Sequence, residues 1–108
     1  MFRTLLITLF IGLINMSNAF AESNAVIYEF YAPWCHVCKM LEPKLAKIEK
    51  QGTHIVRINI DENEQMASKY HVRAVPTVIL VKDGKVKESY VGDMSMQELK
   101  ALASEAAE

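Results

Sequence analysis

Cysteine is scarce in this chain. Of 108 residues two are cysteines, Cys35 and Cys38, both in the run "EFYAPWCHVCK". A closed zinc site takes four Cys or His ligands, usually as two spaced pairs, and a single C-x-x-C does not supply them. The three histidines do not complete a set locally: His36 lies between the cysteines, while His54 opens a strand-like segment and His71 follows a helix-like one. Lys39 stands where haem attachment through C-x-x-C-H needs its histidine. An excess of either charge is missing too. Lys and Arg number 12 against 13 Asp and Glu, a net charge of −1, so no polybasic surface argues for nucleic acid. There is no internal repeat and no low-complexity tract, and the length suits one domain rather than two.

A long hydrophobic run is also lacking. Leu5 to Ile14 is almost entirely apolar, but this falls short of the roughly 20 residues a membrane span needs. Arg3 precedes the run, and Ala19 and Ala21 follow it as A-x-A, the layout of a secretory signal peptide. The expected division is a signal peptide over 1–21, cleaved after Ala21, and one domain over 22–108. The alternative is an uncleaved anchor, reached by counting the apolar stretch on to Phe20. No cysteine stands at the cleavage site to accept a lipid. Export, with the bacterial periplasm as the expected compartment, would place the two thiols where disulfides persist.

The rest of the chain alternates between strand-like and helix-like patterns. Ala25 to Ala32 is β-branched and aromatic, with Glu29 its only charge. Met40, Leu41, Leu45 and Ile48 then recur at helical spacing, with Pro43 inside the helix and Gln51-Gly52 ending it. His54 to Ile60 reads as a second strand. Asp61 with Glu64 suggests a capped short helix running through Tyr70. Thr77 to Val81 and Val86 to Val91 flank Asp83-Gly84, a strong hairpin turn. Ser95 with Glu98 opens a last helix whose apolar face holds Leu99, Leu102 and Ala103. The first two strands, joined through a helix, should be parallel, and the last two antiparallel. If the hairpin packs beside the first strand, that strand is central and covered on both faces. Glu29 is then a carboxylate in an apolar place, expensive unless it has a use.

Three readings of the cysteine pair follow. As a staple it closes so short a loop that the chain-entropy gain is roughly 2 kcal/mol, against about 3 for a 15-residue loop. As a thiolate carrier of copper or zinc it lacks further ligands, and Met94 and Met96 beside a helix start are more simply packing residues. As a redox pair it is complete: positions i and i+3 share a helix face, and a helix N-terminus favours the thiolate of Cys35. Cys38, one turn on, can then attack the mixed disulfide that Cys35 forms, with no cofactor.

These residues carry a resemblance to the thioredoxin superfamily over essentially the whole of 22–108. "WCHVCK" resembles the family's W-C-x-x-C-K, Pro43 its helix-kinking proline, and "RINIDEN" a strand and its exit. "VRAVPTVILVKDGK" is similar to its C-terminal signature. The resemblance implies an α/β thioredoxin-like fold. Its four-stranded mixed sheet would hold a parallel pair and a C-terminal antiparallel hairpin, flanked by three helices and lacking the extra N-terminal strand and helix. It implies a cis-proline turn at Val75-Pro76-Thr77 that holds a substrate backbone, with Trp34 as an apolar platform beside it. "EFYAPWC" looks like the approach in protein disulfide isomerases. Glu29 then matches their buried acid, a proton acceptor for Cys38, and Arg57 takes the place of a lysine that pairs with it. The central dipeptide His36-Val37 is neither Gly-Pro nor Gly-His, so it sets the redox poise on its own terms.

The expected function is therefore exchange of disulfides with protein substrates, by a monomer, through Cys35 and Cys38. Reduction is favoured, with a membrane electron donor as the supply. A positive His36 beside Cys35 would pull the other way, toward an oxidase or isomerase. From other classes, a metal carrier would bind copper or zinc stoichiometrically, and a peptide-binding module would keep binding after both cysteines were replaced.

Overall fold

The computed structural model describes residues 24–108, so the expected signal peptide and its cleavage point after Ala21 lie outside the described residues. Seven elements follow in order: β1 (Ala25–Tyr31), α1 (His36–Lys50), β2 (Ile55–Asn59), α2 (Glu64–Lys69), β3 (Thr77–Lys82), β4 (Lys85–Val91) and α3 (Met96–Ala107). The sheet runs β2-β1-β3-β4. β1 pairs parallel with β2 and antiparallel with β3, and β3 and β4 form the hairpin. The expected fold class, a four-stranded mixed sheet with three helices, is the one observed.

Period-2 alternation along β1 divides the core into two layers. Ile27 points to the side covered by α1 and α3, where it meets Leu41, Leu45, Ile48, Leu99 and Leu102. Phe30 points to the other side, with Ile58, Ile79 and Val81, against Met66 and Tyr70 from and just after α2. Full burial of each large aliphatic or aromatic side chain stabilises the fold by about 1.5–3 kcal/mol. β3 is buried at five successive positions from Thr77, as a central strand covered on both faces should be.

Local chemistry sets the boundaries. The backbone is left-handed at both Asp83 (φ 51°) and Gly84 (φ 80°), which lets two residues reverse the chain between β3 and β4. Ser95 and Glu98 form the expected capping box at α3. Pro43 lies inside α1 and removes one amide from its ladder, yet the helix continues to Lys50. Met94 is buried in the larger core layer and Met96 packs against it, as packing residues.

Three local expectations are corrected. Met40, counted on the apolar face of α1, is 51% exposed, because the buried stripe runs Cys38, Leu41, Leu45, Ile48. α1 also begins at His36, two residues earlier than its apolar periodicity shows. The cap of α2 is Asn63, whose side chain accepts from the Met66 amide, and not Asp61.

Candidate active site

The cysteines stand where β1 delivers the chain to α1. Cys35 is the N-cap of that helix, with extended backbone, and its Sγ accepts the Cys38 amide proton at 3.1 Å. A sulfur thus takes the place usually held by a Ser or Asp oxygen. No acidic residue sits in the first turn to compete for the positive end of the helix. This is an environment that favours a thiolate at Cys35. The two sulfurs are joined as a disulfide, with Cα atoms 5.3 Å apart.

Both cysteines are buried, and Ala32, Tyr31, Ile60 and Val75 pack around them. Val75 brings the proline turn to the disulfide. The Val75–Pro76 peptide is cis. Thr77 Oγ1 donates to the Ala74 carbonyl at 2.6 Å, and the Pro76 carbonyl accepts the Gly92 amide at 2.9 Å, so the turn is fixed from both sides. No turn or loop hydrogen bond of the described residues uses the Val75 backbone.

Outside this pair the surface carries several apolar side chains. Trp34 is 68% exposed, Val37 is 38% exposed, and Met40 lies exposed one turn along. His36 is exposed beside Cys35. The indole of Trp34 is held, its Nε1 donating to Asp61 Oδ2 at 3.0 Å, while the Asp61 amide donates to Asn59 Oδ1. Asp61 therefore spans from the exit of β2 to the active loop, a role that its resemblance to a helix cap concealed.

Beneath the disulfide, Glu29 faces α1 from the central strand. It is 1% exposed, and its Oε1 has no hydrogen-bond partner. Burial, followed by the negative charge of Glu42, pushes its pKa from 4.5 up to about 7, against the opposing pull of Arg57. A cavity of about 310 Å³ touches Glu29, Tyr31, Cys38, Lys39, Glu42 and Arg57. The acid and the deeper cysteine thus share one small space.

Arg57 is placed opposite Glu29 across the β1–β2 pair. Its guanidinium does not serve Glu29 in the paired way the resemblance implies. It grips Glu49 with two bonds, at 2.9 and 2.8 Å, and Glu42 with two contacts, at 3.0 and 2.8 Å. Glu42 and Glu49 were not singled out by sequence. Their seven-residue spacing on one stripe of α1, with an arginine on the neighbouring strand, is the signal that could have found them.

The thioredoxin family model matches residues 14–105. The chain belongs to the thioredoxin family. The matched stretch begins inside the segment read as a signal peptide. Thioredoxin from Bacillus subtilis is 37% identical over 90 residues, covering 81% of this chain and 86% of the relative. Thioredoxin from Rickettsia typhi is 39% identical over 93 residues, covering 82% and 86%. Among solved structures, a mutant thioredoxin from Halobacterium salinarum superposes with a TM-score of 0.72 at 40% identity, covering 78% of this chain and 75% of that one. Family membership and the Cys35–Cys38 disulfide together make this thioredoxin-like chain a protein-disulfide oxidoreductase.

Proposed function

We propose that this protein is an exported, monomeric protein-disulfide reductase, supplied with electrons by a membrane donor. Cys35 attacks, Cys38 resolves and Glu29 takes the proton. The observation that carries the roles is the sulfur N-cap: Cys35 receives the amide of Cys38 at the positive end of α1, while Cys38 lies on the cavity that Glu29 faces. In the reduced protein the Cys35 thiolate attacks a substrate disulfide, forming a mixed disulfide and releasing one substrate thiolate. Cys38 then gives its proton to the Glu29 carboxylate, and its sulfur attacks Cys35 Sγ. The second substrate sulfur leaves with the electron pair, so two electrons pass to the substrate and the Cys35–Cys38 disulfide forms. Val75, Pro76 and Thr77, with Trp34, supply the ledge for the substrate backbone, and the unused Val75 backbone groups support that reading. His36, Val37 and Arg57 tune the potential and the proton affinity around the pair.

Export rests on the sequence of residues 1–21. N-terminal sequencing of the protein recovered from a secreting host should start at Glu22; recovery of intact Met1 at the membrane makes it an anchored enzyme instead. Direction is settled by the reduction potential. A value near about −270 mV is that of a reductase, whereas about −180 to −120 mV is that of an isomerase or oxidase. The order of roles has its own test: Cys38→Ser should accumulate mixed disulfides with substrate on Cys35. Failure to trap any adduct, with Cys35 intact, overturns that order.

A further inference from the structure

We propose that Glu42 is a positioning residue for the exchange reaction: from α1 it holds the Arg57 guanidinium off Glu29 and walls the cavity that Glu29 shares with Cys38. This inference rests on the reading of Glu29 as proton acceptor.

Parallel pairing sets Glu29 and Arg57 side by side, with their side chains on the same face of the sheet. A cation so placed has an obvious partner in a buried carboxylate. Pairing would lower the proton affinity of that carboxylate sharply and spoil it as an acceptor near neutral pH. The geometry shows the opposite outcome. All three guanidinium nitrogens of Arg57 are taken, Nε by Glu42, Nη1 by Glu49 and Nη2 by both. Glu29 Oε1, buried beside them, receives nothing.

The two helix carboxylates are not equivalent. Glu42 lines the cavity and Glu49 does not. Glu42 is one turn beyond Cys38 on α1, and both line the cavity that Glu29 lines. The charged and titratable groups around Glu29 are few: Arg57 from β2, Lys39, Glu42 and Cys38 from α1, and Tyr31 from β1. From β3 the neighbour is Val78, which carries no charge. Glu42 therefore acts in two ways with one sign. Its own negative charge disfavours ionisation of Glu29, and its grip on Nε and Nη2 engages guanidinium nitrogens that would otherwise be open to Glu29.

As no more than half of a rim ion pair, Glu42 would leave Glu29 untouched on removal. Carbon-13 NMR titration of the glutamate carboxyls in the oxidised full chain separates the two cases, with the Glu29 signal identified by its loss in Glu29→Gln. The parent should show Glu29 titrating well above the ordinary carboxylate range. Glu42→Gln should lower its midpoint by about one pH unit, through lost repulsion and a freed arginine. Glu42→Asp, which keeps the charge, should recover most of the shift, and the pH profile of kcat/KM for insulin reduction should move in parallel. Glu49→Gln should move the midpoint less than Glu42→Gln does. An ordinary Glu29 midpoint in the parent overturns the acceptor reading and this one together. A raised parent midpoint that Glu42→Gln leaves in place overturns only the role of Glu42. So does a Glu49→Gln effect equal to that of Glu42→Gln, since the arginine alone would then account for it.

Discussion

Glu29 and Glu49 flank the same arginine, one from the central strand and one from the helix above it, and their fates are opposite. Glu49 accepts two hydrogen bonds from Arg57 and keeps a third of its side chain in solvent. Its pKa is lowered, first by those bonds. Glu29 is sealed from solvent, receives no bond at Oε1 and is pushed up to about 7, first by burial. A carboxylate that is paired at a rim holds elements together, here α1 to β2. One that is buried and unpaired costs stability whenever it is charged, and in the function proposed above it offers in return a proton affinity matched to thiol chemistry. The arrangement of Arg57 decides which acid has which fate.

The largest effect should come from Glu29→Gln, which removes the costly member of the pair. Loss of the acceptor should slow resolution of the mixed disulfide by about a hundredfold or more, measured by stopped-flow tryptophan fluorescence. Stability should move the other way. Because the folded-state pKa lies above the ordinary 4.5, the parent is favoured at low pH and loses that advantage as pH rises through about 7. The variant should therefore gain about 3 kcal/mol on the parent at pH 8.5, with the gap closing below pH 4.5, in urea unfolding curves. A parent whose stability is flat across that range would contradict the raised acid.

Arg57→Met comes next and reverses the sign. It strips the hydrogen bonds from Glu42 and Glu49 and removes the positive charge of Arg57 that pulls Glu29 down. The fold should lose about 2 kcal/mol, the scale of hydrogen bonds to a charged group. The Glu29 midpoint should climb above its parent value, opposite to the effect of Glu42→Gln. If it falls, the arginine does not act on Glu29 by charge.

How much of this could be read from sequence follows the range of each interaction. Features decided within a few residues were legible: the Asp83-Gly84 turn, the Ser95–Glu98 cap, the buried face of α1 apart from Met40, and the cysteine pair at a helix start. Glu29 was legible as a problem, since a lone carboxylate in an apolar central strand needs a reason. Its proximity to Cys38 came from the family resemblance, and the shared cavity now gives it geometry. What escaped was decided by side chains meeting across elements. Asp61 has the spacing of a cap, yet a tryptophan 27 residues earlier takes its oxygen and Asn63 caps α2 instead. Arg57 lies opposite Glu29 by register, but a long flexible side chain can choose among carboxylates, and the helix offers it two with room for good geometry.

The smallest effect should be that of Glu49→Gln, and it sharpens the contrast because it alters the paired acid alone. Both partners are partly in solvent, 26% for the Arg57 side chain and 33% for Glu49, so the pair is worth at most about 1 kcal/mol despite its two bonds. The sign of its pH dependence is opposite to that of Glu29. A lowered pKa contributes stability that is present above the ordinary carboxylate value and lost as pH falls toward the folded one. The gap between parent and variant should thus be full at pH 7, fade below pH 4.5 and shrink with added salt, since a rim pair is screened. Urea unfolding at the two pH values, with and without salt, measures all three trends. A variant more stable than the parent at pH 7, by a margin that ignores salt, would place Glu49 in the same class as Glu29 and remove the distinction between the acid that holds the fold and the acid proposed to serve the cysteines.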